Sequence, residues 1–283
     1  MESDITVGPH SITCVNHGFL RLDGGAMFGS VPKPLWERRI SPDENNRILL
    51  ATRCLLIRSN GRVILVDVGS GDKWSEKDQH IFAFTSPTQL PLPYTPDEVT
   101  DVVLTHLHFD HAGGITKLGA GGELILSYPN ARIHLQDENY KLAKAPNIRE
   151  RASYLSSHVT PLEHANMSLL NGSTEIFPGI WVHPVHGHTR GLQYIEICEG
   201  DDCILYPSDL IPTSHHLPLP YHMGYDMCAE TVLKEKEAFL NYAIEKNAIV
   251  IFEHDPEVPA VRIGKNPKGH YDIHEKVFFP SQQ

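Results

Sequence analysis

The sequence predicts an α/β protein in which two mixed β-sheets pack face to face with helices on the outside, an αββα order, in one domain over residues 1–283. Three observations carry this prediction. Strand patterns gather in two groups, one within residues 11–68 and one from residue 175 onward. Helical patterns intervene between and after them. No internal repeat or low-complexity linker divides the chain.

In chain order, residues 11–22, 49–57 and 63–68 read as early strands. The last two flank Ser59-Asn60-Gly61-Arg62, a hairpin signal because Asn-Gly tolerates positive φ. Asp101-Val102-Val103-Leu104 reads as a short buried strand. A second strand-rich section covers residues 175–206, and further strands are expected near 248–252 and 259–263. Between these, residues 231–246 repeat apolar side chains at helical spacing, with Val232, Leu233, Ala238, Phe239, Tyr242 and Ala243 on one face.

Composition narrows the function classes. A hydrophobic content of 41% and a charged content of 21% suit a globular chain with a sizeable core. The formal net charge of −11 argues against a nucleic-acid partner, and Glu150 interrupts the basic neighbours Arg149 and Arg151. No apolar run approaches the ~20 residues of a spanning helix, so no membrane partner is expected. The N-terminus lacks a basic segment followed by an apolar one, so no secretory signal is expected. Five scattered cysteines (Cys14, Cys54, Cys198, Cys203 and Cys228) include no C-x-x-C pair. They are expected to be packing residues in a reducing, cytoplasmic setting, without a disulfide framework.

The most informative stretch is Thr105-His106-Leu107-His108-Phe109-Asp110-His111. Three imidazoles and one carboxylate fall within residues 106–111, directly behind a predicted strand. A tight turn there can aim His106 and His108 at one point and Asp110 and His111 at a second. Imidazole and carboxylate together suit zinc and other first-row metals where a bound water must be activated. The alternative, a surface loop rich in histidine, has to account for four such residues in one array among 18 histidines.

This H-x-H-x-D-H array resembles the signature of the metallo-β-lactamase superfamily of hydrolases. The remaining elements of that family follow in order: Gly187-His188-Thr189 with Gly191, Asp209 after Cys203-Ile204-Leu205-Tyr206, and His254 after Ile249-Val250-Ile251-Phe252. Upstream, Ile64-Leu65-Val66-Asp67-Val68-Gly69 is similar to the family's strand ending in Asp. The resemblance implies the metallo-β-lactamase fold and two divalent metal ions, zinc first, with iron, manganese and cobalt accepting the same donors. His106, His108 and His188 would hold the first metal, and Asp110, His111 and His254 the second. Asp209 would bridge them, with room for a bridging hydroxide, while Asp67 would orient a ligand histidine or the loop. Glu253 and Asp255 compete with His254, which stands directly after an apolar strand. His186 is not expected to be a ligand, His183 is expected to be structural, and His215 and His216 are expected at a rim.

Departures from the family's branches narrow the activity. The β-lactamases usually carry a cysteine where Asp209 stands, and the flavodiiron branch a glutamate where His108 stands. Only 29 residues follow His254, too few for the helical domain of glyoxalase II. What remains is similar to the N-acyl homoserine lactonase and organophosphate hydrolase-like group, both in the segment from Tyr128 to Tyr154 and in the early loop Gly24-Gly25-Ala26-Met27-Phe28-Gly29. That similarity makes Met27, Phe28 and Trp36 candidates for a pocket wall, with burial in the core as the alternative. Several lactonases have a tyrosine three residues after the bridging aspartate, where this chain has Pro212. Tyr221 and Tyr225, in the loop from His215 to Tyr225, are candidates to occupy that space.

The expected reaction is hydroxide attack on a small-molecule ester or lactone, with Asp110 or Asp209 passing the proton to the leaving group. Aryl ester or phosphotriester hydrolysis is the alternative, because in-line displacement needs the same clamp. A mononuclear iron persulfide dioxygenase would lack the second ligand set, and a non-catalytic binding module would have lost ligands. Metal and oxygen-consumption measurements separate these. A homodimer is compatible with the sequence.

Overall fold

The computed structural model describes residues 4–85 and 92–279. The first sheet opens with β1 (Ile5–Val7), β2 (His10–Asp23), β3 (Arg47–Ser59), β4 (Arg62–Val66) and β5 (Asp101–Val103). A small separate hairpin follows, β6 (Thr116–Leu118) with β7 (Leu124–Leu126). The strands β8 (Arg132–Gln136) and β9 (Met167–Leu170) then complete the first sheet in the order β1-β2-β3-β4-β5-β8-β9. The second sheet runs β10 (Thr174–Phe177), β11 (Ile180–Val185), β12 (Leu192–Glu199), β13 (Asp202–Tyr206), β14 (Ile249–Ile251), β15 (Ala260–Lys265) and β16 (Tyr271–Val277), in sequence order. Both sheets are mixed: β4, β5, β8 and β9 run parallel in the first, and β13 and β14 in the second.

The hairpin between β3 and β4 turns through Asn60 and Gly61 at φ 47° and 78°, the two positive values that an Asn-Gly turn requires. One apolar layer lies between the sheets, where Leu55, Ile57, Ile64 and Val66 meet Ile180, Val182, Ile195 and Ile204. The outer face of the first sheet is covered by α5 (Asp137–Lys144) and α6 (Ser156–Val159), and that of the second by α7 (Ala229–Glu245). The layering is therefore αββα, and the shorter helices α1 (Gly24–Phe28), α2 (Lys33–Trp36), α3 (Glu76–Phe82) and α4 (Phe109–Ala112) precede the covering ones in the chain.

α7 buries Val232, Lys236, Phe239, Leu240 and Ala243, so the apolar stripe includes Leu240 and leaves Ala238 exposed. Lys236 sits within that stripe because its ammonium donates to the carbonyls of Pro218 (2.8 Å) and Tyr221 (2.7 Å), which satisfies the buried charge.

The cysteines differ from expectation at one place. Cys198 and Cys203 are direct cross-strand partners in β12 and β13, with Cα atoms 4.2 Å apart, and a disulfide joins them. The intervening turn folds positions five apart onto each other, so a search for C-x-x-C spacing misses the pair.

Candidate metal centre

The candidate ligands come from the ends of strands in both sheets. β5 delivers Thr105 to His108, and the one-turn helix α4 (Phe109–Ala112) buries Asp110 and His111 against them. His188 follows β11 on a loop in which Gly187 is required by crowding, since a Cβ there would lie 2.4 Å from the backbone nitrogen of Val232. Asp209 lies in a 3-10 turn after β13, entered through Ser208 at φ 50°. His254 follows β14, and Ala51 of β3 both donates its N–H to the His254 carbonyl and accepts from Nδ1 of the His254 ring at 2.8 Å. The centre thus straddles the seam between the sheets.

Two clusters result. His106, His108, His188 and Asp209 converge at one point, and Asp110, His111 and His254 at a second. All seven residues are buried. His188 Nε2 lies 3.2 Å from His108 Nδ1 and 3.2 Å from Asp209 Oδ2. At the second point, His111 Nε2 and His254 Nε2 are 3.2 Å apart, and Asp209 Oδ1 is 3.0 Å from His254 Nε2. Asp209 Oδ1 therefore faces the second point, while Oδ2 lies between the two, 3.2 Å from His188 Nε2 and 3.5 Å from His111 Nε2. Asp110 is at 3.7–3.8 Å from the same two imidazole nitrogens.

The donor chemistry fits a cation at each point. His254 Nδ1 faces a carbonyl and His111 Nδ1 faces carboxylates, so both Nδ1 atoms carry the proton. In the neutral rings the Nε2 atoms present lone pairs to each other, an arrangement that a cation between them, proton or metal, relieves. Two nitrogens on a tetrahedral zinc at ~2.0–2.1 Å would stand about 3.3 Å apart, close to the spacing here. Nε2 of His106 and Oδ1 of Asp209 are buried without a hydrogen-bond partner among the described residues.

The field of the site also favours positive charge. Burial opposes protonation of His188 and His254, yet Asp209 raises both, His254 to about 9. His106 and His108 are held well below the ordinary histidine range by burial and by the neighbouring imidazoles. Burial would raise the Asp209 carboxyl, but His111, His254 and His188 hold it well below the usual range.

Behind the ligands, Asp67 accepts from the backbone and hydroxyl of Thr105 at 2.7 Å each and lies 3.2 Å from His111 Nδ1. The Thr105 hydroxyl, having donated to Asp67, accepts from His106 Nδ1 at 3.1 Å. Asp226 lies 2.8 Å from His188 Nδ1, and Glu253 lies 2.9 Å from His111 Nδ1. Neither stands in a motif that pointed to it; for Glu253 the only signal was its place next to His254. Asp255 accepts from Ser214, Glu257 and Val258, so it closes a turn. His183 pairs with Glu196, and His186 is half exposed beside Glu138, both away from the centre.

A cavity of about 330 Å³ opens above the two points. Leu22, Met27, Leu50, Phe82, Phe109, Ala152, Met223 and Tyr225 give it an apolar wall, and Asp110, Asp209, His188 and His254 form its floor. Met27 and Tyr225 are wall residues, whereas Phe28, Trp36 and Tyr221 lie behind the wall. Phe28 is sandwiched between Trp36 and His216, with ring centroids 5.5 and 4.8 Å away, and Tyr221 meets its edge at 6.2 Å. Met27 and Phe28 of the short helix α1 (Gly24–Phe28) are buried in one cluster with Trp36 and Leu50, and of the two Met27 also lines the cavity. His216 is likewise no rim residue: it is buried and bridges Thr213 and the Met27 carbonyl.

This fold and this centre define a class of metal-dependent hydrolases, and the chain belongs to it: the profile of the metallo-beta-lactamase superfamily matches residues 47–254. A solved structure of a probable metal-dependent hydrolase from Staphylococcus aureus is 30% identical, covering 97% of this chain and 100% of that one, with a TM-score of 0.86. An N-acyl homoserine lactonase of Bacillus cereus is 26% identical over 231 residues, 75% of this chain and 84% of that protein. The dizinc quorum-quenching lactonase AidC, in complex with a product, shares the fold at 17% identity, covering 98% of each chain with a TM-score of 0.77.

Proposed function

We propose that this chain is a dinuclear metal-dependent hydrolase that opens ester or lactone bonds, with N-acyl homoserine lactones as the leading substrate class. The observation that carries the reading is the set of donor pairs 3.0–3.2 Å apart at the floor of an apolar cavity. In this reading His106, His108 and His188 hold the first metal, Asp110, His111 and His254 the second, and Asp209 bridges. Two divalent cations bound there, zinc first, would supply an activated water and polarise the scissile carbonyl.

The chain's own residues do the rest. Asp110 belongs both to the second point and to the cavity lining, so it is the group we assign to carry a proton to the leaving oxygen. Asp209, held as a carboxylate by the surrounding imidazoles, keeps the two points in register. The wall of Leu22, Met27, Leu50, Phe109 and Met223 excludes water and matches an acyl chain. Similarity to Bacillus lactonases supports the substrate class.

A second reading, aryl ester or phosphotriester hydrolysis, draws on position 212. Pro212 offers no hydroxyl, and its carbonyl accepts from His254 N; the phenol lining the cavity is that of Tyr225. The test is metal content of protein purified without added metal, with turnover of homoserine lactones against aryl esters and phosphotriesters. About two metals with lactone turnover supports the leading reading. Two metals with ester or phosphotriester turnover alone moves the assignment to the second. One iron or none removes the dinuclear reading.

A further inference from the structure

The imidazoles around Asp209 differ in what their outward-facing nitrogen meets. His106 Nδ1 meets the Thr105 hydroxyl and His254 Nδ1 the Ala51 carbonyl, both neutral acceptors. His188 Nδ1 instead meets Asp226 Oδ1 at 2.8 Å, and His111 Nδ1 meets Glu253 Oε2 at 2.9 Å. Each of the two points therefore contains an imidazole backed closely by a buried carboxylate.

At His111 the Nδ1 hydrogen bond runs to Asp67 at 3.2 Å, and the Glu253 carboxylate stands beside the same nitrogen at 2.9 Å as a second negative charge. Both Asp67 oxygens already accept from Thr105 at 2.7 Å, and Oδ2 stands 3.2 Å from the ring. Glu253 is fully buried, and its carboxylate also meets the Ser208 hydroxyl, at 3.5 Å, and the Tyr206 hydroxyl. At His188 the carboxylate comes from the loop that walls the cavity. Asp226 Oδ2 accepts from Met223 N at 2.8 Å, and Arg149 donates to the carbonyls of Gly224 and Asp226. Met223, Tyr225 and Arg149 all line the cavity.

We propose that Asp226 and Glu253 are positioning residues, one for each metal, so that the two metals are held with separately set affinities. Asp226 orients His188 at the first, and Glu253 places a negative charge behind His111 at the second. A carboxylate on the outer N–H of a ligand imidazole fixes the ring plane, keeps the proton on the far nitrogen and makes the facing nitrogen a stronger donor. Because Asp226 also anchors the cavity wall, the first metal is tied to the surface that contacts substrate. The inference rests on the two-metal reading above.

The test strips metal from the wild type, Asp226→Asn and Glu253→Gln, then titrates each with zinc against a chromophoric chelator, with thermal unfolding of the stripped proteins alongside. Each single variant should bind one equivalent as the wild type does and the other about 10–100-fold more weakly. His254→Ala, which removes a second-metal ligand, sorts the two: on that background Asp226→Asn weakens the remaining equivalent and Glu253→Gln leaves it unchanged. Glu253→Asp and Asp226→Glu, which keep the charge and move it, should give intermediate affinities. Unchanged zinc affinities, weakening of the same equivalent by both variants, or loss only in proportion to lower stability of the stripped protein would each overturn the proposal. A wild type that binds fewer than two equivalents would overturn it too, and would identify the two-metal reading as the point of failure.

Discussion

Thr105 gives both its backbone N–H and its hydroxyl to Asp67, at 2.7 Å each, so the residue before His106 is fixed to the end of β4 from two directions. Asp67 itself sits at φ 56°, a conformation that a non-glycine residue holds only when its surroundings impose it. Asp67→Asn keeps the volume but places an amide where one oxygen accepts from Thr105. A loss of about 1.5–3 kcal/mol is expected, the range for hydrogen bonds to a charged group, together with weaker metal retention. Urea unfolding of stripped and zinc-loaded protein measures the two effects; an unchanged midpoint in both would refute the role given to Asp67.

Loss of a ligand should cost more than loss of a partner behind it. His106→Ala and His108→Ala should each reduce bound metal and lower hydrolysis by more than the ~10–100-fold typical of outer partners. His186→Ala, half exposed beside Glu138, should change neither quantity. Metal analysis and kcat/KM on the same preparations check both statements.

Met27 and Phe28 are buried neighbours, and only Met27 reaches the cavity. Phe28→Ala should destabilise the protein by about 3–5 kcal/mol, the cost of emptying a packed aromatic site. Met27→Ala should cost about 2–5 kcal/mol, since Met27 is buried in the same cluster, and should also shift preference among acyl-chain lengths, because Met27 lines the cavity. A shift in acyl-chain preference in Phe28→Ala but not in Met27→Ala would reverse the assignment.

Acid should weaken the fold through His158. Burial, helped by the Lys73 charge, pushes this histidine down to about 3, against an ordinary value of 6.5. Between those values the unfolded chain holds a proton that the folded one does not, so stability is present above about 6.5 and is lost as pH falls toward 3. At about pH 5 the loss from this residue should reach ~2 kcal/mol, from 1.36 kcal/mol per unit. His158→Phe, compared with wild type after metal stripping, should show a shallower decline; parallel declines would exclude His158 as the cause.

Much of this molecule was legible from local pattern. The strand-end residues His106, His108, Asp110 and His111 are recognisable because a turn behind a strand constrains where consecutive side chains point. The β3–β4 hairpin and α7 were readable for the same reason, since each periodicity is set within the element. Glu253 and Asp226 were not, because their duties arise from tertiary placement. The Glu253 carboxylate reaches His111 only because β14 ends beside β3, where Arg53 N donates to the Glu253 carbonyl. Asp226 reaches His188 only because its loop folds back so that Met227 donates to the His188 carbonyl. In the same way, the stacking of Phe28 depends on where Trp36 and His216 arrive to pack.

The placement of the centre across the seam has a mechanical consequence. His106 through His111 belong to the first sheet, whereas His188, Asp209 and His254 belong to the second. Ions at these points would rivet one sheet to the other at the open end of the sandwich, adding their binding free energy to the cohesion of the halves. Amide hydrogen exchange should therefore slow on metal loading along the ends of β5, β13 and β14 that carry the rivet, and far less in the apolar layer at the middle of the sheets.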